Sequence, residues 1–278
     1  MKPIIKAAEL QALYGQENFV IIDATSGAEA RKTYESSHLL NALFVDLDRD
    51  LSAVNDPRLG GRHPLPSVAA FSETLSTLGI DAESHIVVYD RLNAANAAAR
   101  FWWMARAAGV NKVQVLDGGF RAAREAGFPL SEGEELAPEP TTYRFEQWQL
   151  PMKALEEIDA WTSQESKLII DVREAARYEG LTEPIDLIAG HIPTAINVPF
   201  MGNLNSDGFF KDPEMLRLLY EPILGTRDAK NIAIHCGSGV TACHSILALA
   251  HAGYDIPNLY VGSWSEWSRN DLPREPKS

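Results

Sequence analysis

Asn231–Ser245, NIAIHCGSGVTACHS, decides how this chain is read. Ile232, Ala233 and Ile234 form a short apolar run suited to a buried strand. Cys236 follows, then a loop of Gly237, Ser238, Gly239, Val240 and Thr241. From Ala242 the apolar positions Cys243, Ile246, Leu247 and Ala250 recur at helical spacing, which predicts a helix of about 10 residues. A cysteine at a strand end, in a glycine loop that enters a helix, sits in an anion-binding setting. The glycines let backbone N–H groups turn inward, and the helix dipole favours negative charge there. The sulfur is then poised to act as a nucleophile rather than as core packing.

Working outward, the chain repeats itself once. FVIIDA at Phe19–Ala24 is echoed by KLIIDVR at Lys167–Arg173, and HIVVYD at His85–Asp90 by Ile232–Cys236. His38–Asp46 is echoed by His191–Pro199, and Val113–Phe128 by Leu259–Leu272, all at nearly one offset of about 150 residues. Apolar strands alternate with helical stretches such as Ala97–Ala108 and Thr241–Ala252, which predicts two α/β units with mostly parallel sheets flanked by helices. Ser131–Pro140, SEGEELAPEP, has linker composition, so domains are expected over residues 1–135 and 145–278. The place of Cys236 is taken in the first half by Asp90, and Arg91–Asn96 lacks the loop glycines. A carboxylate cannot replace a thiolate nucleophile, so the first domain is expected to be catalytically silent.

The loop CGSGVTA resembles the active-site loop of the 3-mercaptopyruvate sulfurtransferases, a branch of the rhodanese family, and the tandem arrangement agrees over nearly the whole chain. The resemblance implies two rhodanese-like domains and a cysteine persulfide on Cys236, with no cofactor. DVREAARYEG is similar to the family's arginine segment and implies that Arg177 holds the donor's anionic end, which suits a guanidinium fork. Arg173 is expected to support the fold by pairing with acids. FVDLD and HPLP resemble family segments that imply a relay of Asp48, His63 and Ser238 beside the sulfur. Gly237, Ser238, Gly239, Val240 and Thr241 would cradle the substrate. Between Arg177 and Gly190 the chain reads YEGLTEPIDLIA, where mercaptopyruvate enzymes typically carry a second arginine; Arg177 is thus expected to hold the donor alone and weakly.

The favoured function is transfer of sulfur from a small donor, 3-mercaptopyruvate before thiosulfate, to a thiol or cyanide. Thiosulfate:cyanide transfer is the alternative; it would need charge close to the sulfur, and Gly237–Thr241 carries none. A cysteine phosphatase would need an arginine six residues after the cysteine, where Ala242 stands. A non-enzymatic binding module fits Asp90 but not the intact loop at Cys236. His235, His244 and His251 are expected to be structural, and Trp102, Trp103, Trp264 and Trp267 to pack in cores or between domains. No metal-ligand spacing appears, and Gly118-Gly119 is a turn, not a dinucleotide fingerprint.

Composition agrees with a globular enzyme. The chain has 278 residues, 45% hydrophobic and 23% charged, with a formal net charge of −13. Such acidity argues against nucleic acid as a partner. No stretch approaches the length of a membrane span, and MKPIIKAAEL has no apolar run suited to a signal peptide. Two cysteines, Cys236 and Cys243, suit a reducing compartment. A cytoplasmic monomer acting on small molecules is expected.

Overall fold

The computed structural model describes residues 1–95 and 97–276; Asn96, which closes the Arg91–Asn96 loop, lies outside the described residues. The chain divides into two compact units, one of Met1–Ser52 with Pro66–Gln149, the other of Ala53–Leu65 with Leu150–Ser278.

In the first unit the strands are β1 (Ile4–Ile5), β2 (Phe19–Asp23), β3 (His38–Leu39), β4 (Ala42–Phe44), β5 (His85–Tyr89), β6 (Val113–Leu116) and β7 (Leu130–Ser131). Five of them form a parallel sheet in the order β1-β6-β5-β2-β4, while β3 and β7 pair antiparallel. Central strands covered on both faces need apolar side chains at every position. That is why Ile21, Ile22, Val87 and Val88 are consecutive and fully buried.

The second unit holds β8 (Met152–Lys153), β9 (Leu168–Asp171), β10 (Ile196–Asn197), β11 (Ile232–His235) and β12 (Asn258–Tyr260). Its parallel sheet runs β10-β9-β11-β12-β8, so each strand has the place of its counterpart in the first unit. The α/β class with parallel sheets flanked by helices is therefore the observed one, and both sheets are parallel throughout their named pairs. The helix Thr241–Ala252 starts one residue before the predicted start and stops at Gly253, whose φ of 91° closes it in the left-handed conformation.

Two features depart from the sequence expectation. Residues beyond the SEGEELAPEP stretch still pack with the first unit: Thr141 N–H donates to Ser76 O (3.0 Å), and Gln149 N–H to Ala107 O (2.7 Å). The switch of units falls at Gln149–Leu150 rather than inside the acidic stretch, because backbone pairing outlasts the linker composition. Ala53–Leu65, from the first half of the sequence, packs with the second unit.

The four tryptophans are buried, as expected. Trp264 and Trp267 belong to the second unit's core and donate to Ile188 O (2.8 Å) and Pro273 O (2.9 Å). His244 is buried against Phe210. No helix among the described residues is long and apolar enough to cross a membrane.

Candidate active site

In a parallel sheet, ligands gather outside the carboxyl ends of the strands. Here β11 and β9 end in register, His235 opposite Asp171. Cys236 follows directly on one strand, and Arg173 follows two residues past Asp171 on its neighbour. Both line a cavity of about 340 Å³, with Arg62, Val172, Glu174, Arg177, Pro184, Ile185, Phe200, Gly237, Ser238 and Thr241.

Cys236 is buried and lies at the start of the loop into the helix Thr241–Ala252. Its backbone is fixed on both sides by one turn. Cys236 N–H donates to Ser263 Oγ (3.2 Å), and Trp264 N–H donates to Cys236 O (3.0 Å). Ser265 N–H donates to Gly237 O (2.8 Å). Gly239 has φ +74°, and a Cβ there would collide with Val261 O. Gly239→Ala should therefore lose at least about 1–2 kcal/mol from the left-handed backbone alone. A lowered melting temperature together with lost turnover checks this; an unchanged melting temperature would count against it.

The sequence candidates divide as follows. Arg177, Gly237, Ser238, Thr241 and Cys236 line the cavity, whereas Gly239 and Val240 shape the loop without forming its wall. His63 Nδ1 stands 2.8 Å from Ser238 Oγ, so the predicted His63–Ser238 pair exists, within the second unit. Asp48 belongs to the first unit, is exposed, and its N–H donates to Asp46 Oδ1 (2.9 Å).

Arg173 supports the fold, as expected, and also lines the cavity. Buried beneath the site, it grips Asp171 through Nε (3.0 Å) and Nη2 (2.6 Å) and donates to Gly190 O (2.7 Å) and Glu183 (3.2 Å). Burial opposes the charge on Asp171, yet His235 and Arg173 together hold its carboxyl below the usual range. Burial likewise opposes charge on Glu183, and the Arg177 hydrogen bond with the Asp186 and Ile185 N–H groups holds that carboxyl low. His235 is fully buried, and burial pushes its pKa down.

Two groups were missed. Glu183 and Asp186 do not leave Arg177 unpaired: it donates to Glu183 through Nη2 (2.7 Å) and Nε (3.2 Å), and to Asp186 through Nη2 (3.1 Å). Arg62 also reaches the cavity and pairs with Asp186. Arg177 is thus not the lone cation expected. The loop itself bears no charge, but its surroundings do. Arg62 adjoins His63 in sequence, the one signal that pointed toward it.

In the first unit, the loop after β5 is filled from within. Asp90 Oδ1 accepts the N–H groups of Leu92 (2.8 Å) and Ala94 (2.9 Å), and Oδ2 accepts that of Ala98 (3.2 Å). A carboxylate fixed by three backbone N–H groups thus stands where the cysteine stands in the second unit.

Among the described residues no cluster of side chains could hold a metal ion.

The rhodanese-like domain model matches residues 6–126 and 154–270. The probable 3-mercaptopyruvate sulfurtransferase of Pseudomonas aeruginosa is 36% identical over 278 residues, covering 98% of this chain and 96% of that protein. The thiosulfate sulfurtransferase of Rattus norvegicus is 36% identical over 252 residues, covering 88% of this chain and 82% of that one. Among solved structures, SseA from Escherichia coli, described as a 3-mercaptopyruvate sulfotransferase, superposes with a TM-score of 0.81 at 29% identity, covering 96% of this chain and 100% of its own. With two matched domains, full-length relatives and a cysteine heading the second domain's loop, this chain belongs to the rhodanese family as a tandem-domain sulfurtransferase.

Proposed function

We propose that Cys236 accepts a sulfur atom from 3-mercaptopyruvate and passes it, as a persulfide, to a thiol or cyanide. The observation that carries this reading is the convergence of Cys236, Ser238 and Arg177 on one cavity, with His63 2.8 Å behind Ser238. Arg177 holds the donor carboxylate. The Cys236 thiolate attacks the donor sulfur; the carbon–sulfur bond breaks, and its electron pair leaves on the pyruvate enolate. His63 and Ser238 polarise the donor carbonyl and return a proton to the enolate. The acceptor then attacks the outer sulfur, and the thiolate is regenerated.

The name of the Pseudomonas aeruginosa relative, matched over 98% of this chain, and the uncharged Gly237–Thr241 loop support mercaptopyruvate. Thiosulfate is the second reading, favoured by one observation: besides the buried Arg173, both Arg62 and Arg177 border the cavity. We further propose that the first domain is silent, since its cradle is already filled by Asp90. Free Cys236 and Cys243 suit a reducing cytoplasm, with the chain acting as a monomer.

Steady-state rates with both donors and cyanide as acceptor test the assignment. The expected result is a ping-pong pattern with a higher kcat/KM for mercaptopyruvate. A higher kcat/KM for thiosulfate would transfer the assignment to the second reading.

A further inference from the structure

We infer that Arg62 is a donor-recognition residue, which together with Arg177 grips the anionic end of the substrate above Gly237. The inference rests on the sulfurtransferase reading of the site and adds a residue to it.

Arg62 is held in place by the same turn that fixes the cysteine loop. Its backbone N–H donates to Ser265 Oγ (3.0 Å), while Ser265 N–H donates to Gly237 O (2.8 Å). Two residues earlier, Gly60 N–H donates to Glu266 Oε1 (2.7 Å). Gly61 has φ +81°, and a Cβ there would strike Gly262 O, so the arm lies flat on that turn. Arg62 is therefore in register with Gly237 through one shared serine.

The two guanidinium groups are aimed by acids. Arg62 uses Nη1 on Asp186. Arg177 uses Nε and Nη2 on Glu183 and Asp186. Arg269 Nη1, 3.1 Å from Asp186 Oδ1, completes the clasp. The inner ends turn to the loop: Arg62 Nη2 lies 3.3 Å, and Arg177 Nη1 3.6 Å, from where a Cβ of Gly237 would stand. Gly237 follows the sulfur-bearing residue directly, so a small donor whose sulfur meets the Cys236 thiolate brings its anionic end within reach of both forks. Guanidinium forks match carboxylate geometry with paired N–H donors. Glycine at 237 leaves that space open for the donor.

The test is donor-concentration dependence of Cys236 loading in the full-length protein, for wild type, Arg62→Gln and Arg62→Lys. Mercaptopyruvate and thiosulfate are the sulfur donors; an uncharged dialkyl trisulfide is the control, its alkylthio group passing to Cys236 as a mixed disulfide while the alkyl persulfide anion leaves. Loss of one charged hydrogen-bonding group should raise KM for mercaptopyruvate about ten- to a hundredfold in Arg62→Gln, with kcat roughly unchanged. Arg62→Lys, which keeps the charge and loses the fork, should recover part of the loss and keeps the test open if Arg62→Gln folds poorly. The trisulfide should load all three proteins alike. An unchanged KM for mercaptopyruvate in either variant, beside normal wild-type loading, overturns the inference alone; so does an equal loss with the trisulfide, which marks a structural role. A wild-type protein that takes sulfur from no donor overturns the inference together with the reading it rests on.

Discussion

Cys236→Ser is expected to abolish sulfur transfer from every donor, a loss of about 10⁴-fold or more, as when a covalent nucleophile is removed. Serine is close to cysteine in size, and the Cys236 backbone bonds to Ser263 and Trp264 do not involve the side chain. The fold should therefore survive, and the melting temperature should stay near that of the wild type. What is lost is chemical: an alcohol does not form a stable sulfur–sulfur bond. Cys243 cannot substitute. It is fully buried in the helix Thr241–Ala252, and its Sγ lies 3.4 Å from Gly239 O. On the proposed reading the first domain offers no substitute either, since Asp90 stands at the equivalent place. Residual turnover above about a hundredth of wild type would mean a second sulfur carrier.

The largest expected structural loss is at Arg173. Its guanidinium is buried between Asp171, Glu183 and Gly190 O, and lies 4.8 Å over the Trp264 ring. Arg173→Met keeps much of the volume but leaves two buried carboxylates without that cation. Breaking such a network costs about 3–5 kcal/mol. The acid side gives a second readout. Asp171 and Glu183 both have carboxyls held below their ordinary values of 3.8 and 4.5. A lowered folded pKa contributes stability that is complete above the unfolded value and is lost as pH falls through the folded one. Wild-type stability should thus decline below about pH 4.5, where the unfolded chain takes up protons first. Arg173→Met should show a weaker decline there, because its carboxylates are already poorly held. Urea unfolding at neutral pH and below pH 4 would show it; equal stabilities at neutral pH would refute the network's importance.

The architecture was legible where burial leaves a local trace. FVIID, HIVVY and IAIH sit centrally, covered on both faces, and so read as uninterrupted apolar runs. The edge strands β1 and β8 are two residues each, too short for any period to register. The β3–β7 pair joins His38 to Ser131 across most of a domain, and nothing local announces it. The same divide runs through the site. Cys236, Ser238 and the loop glycines are neighbours in sequence, and the strand–loop–helix order places them together. Arg177 follows a strand adjacent to β11, so its position was also within reach. Arg62 was not. Counting basic residues between Arg177 and Gly190 searched the nearest stretch of chain, but the second guanidinium comes from Ala53–Leu65, which docks on the Ser263–Ser265 turn. Glu183 and Asp186 looked like ordinary acids of a surface loop. Their meaning, as the groups that aim the arginines, exists only in three dimensions.

The most direct test of sulfur carriage is the intact mass of the protein after brief exposure to mercaptopyruvate, followed by peptide mapping. The expected result is one added sulfur, about 32 Da, on Cys236 in wild type and in Cys243→Ser, removed by cyanide and absent from Cys236→Ser. The same mass gain on Cys236→Ser, or a sulfur mapped to Cys243, would contradict the mechanism.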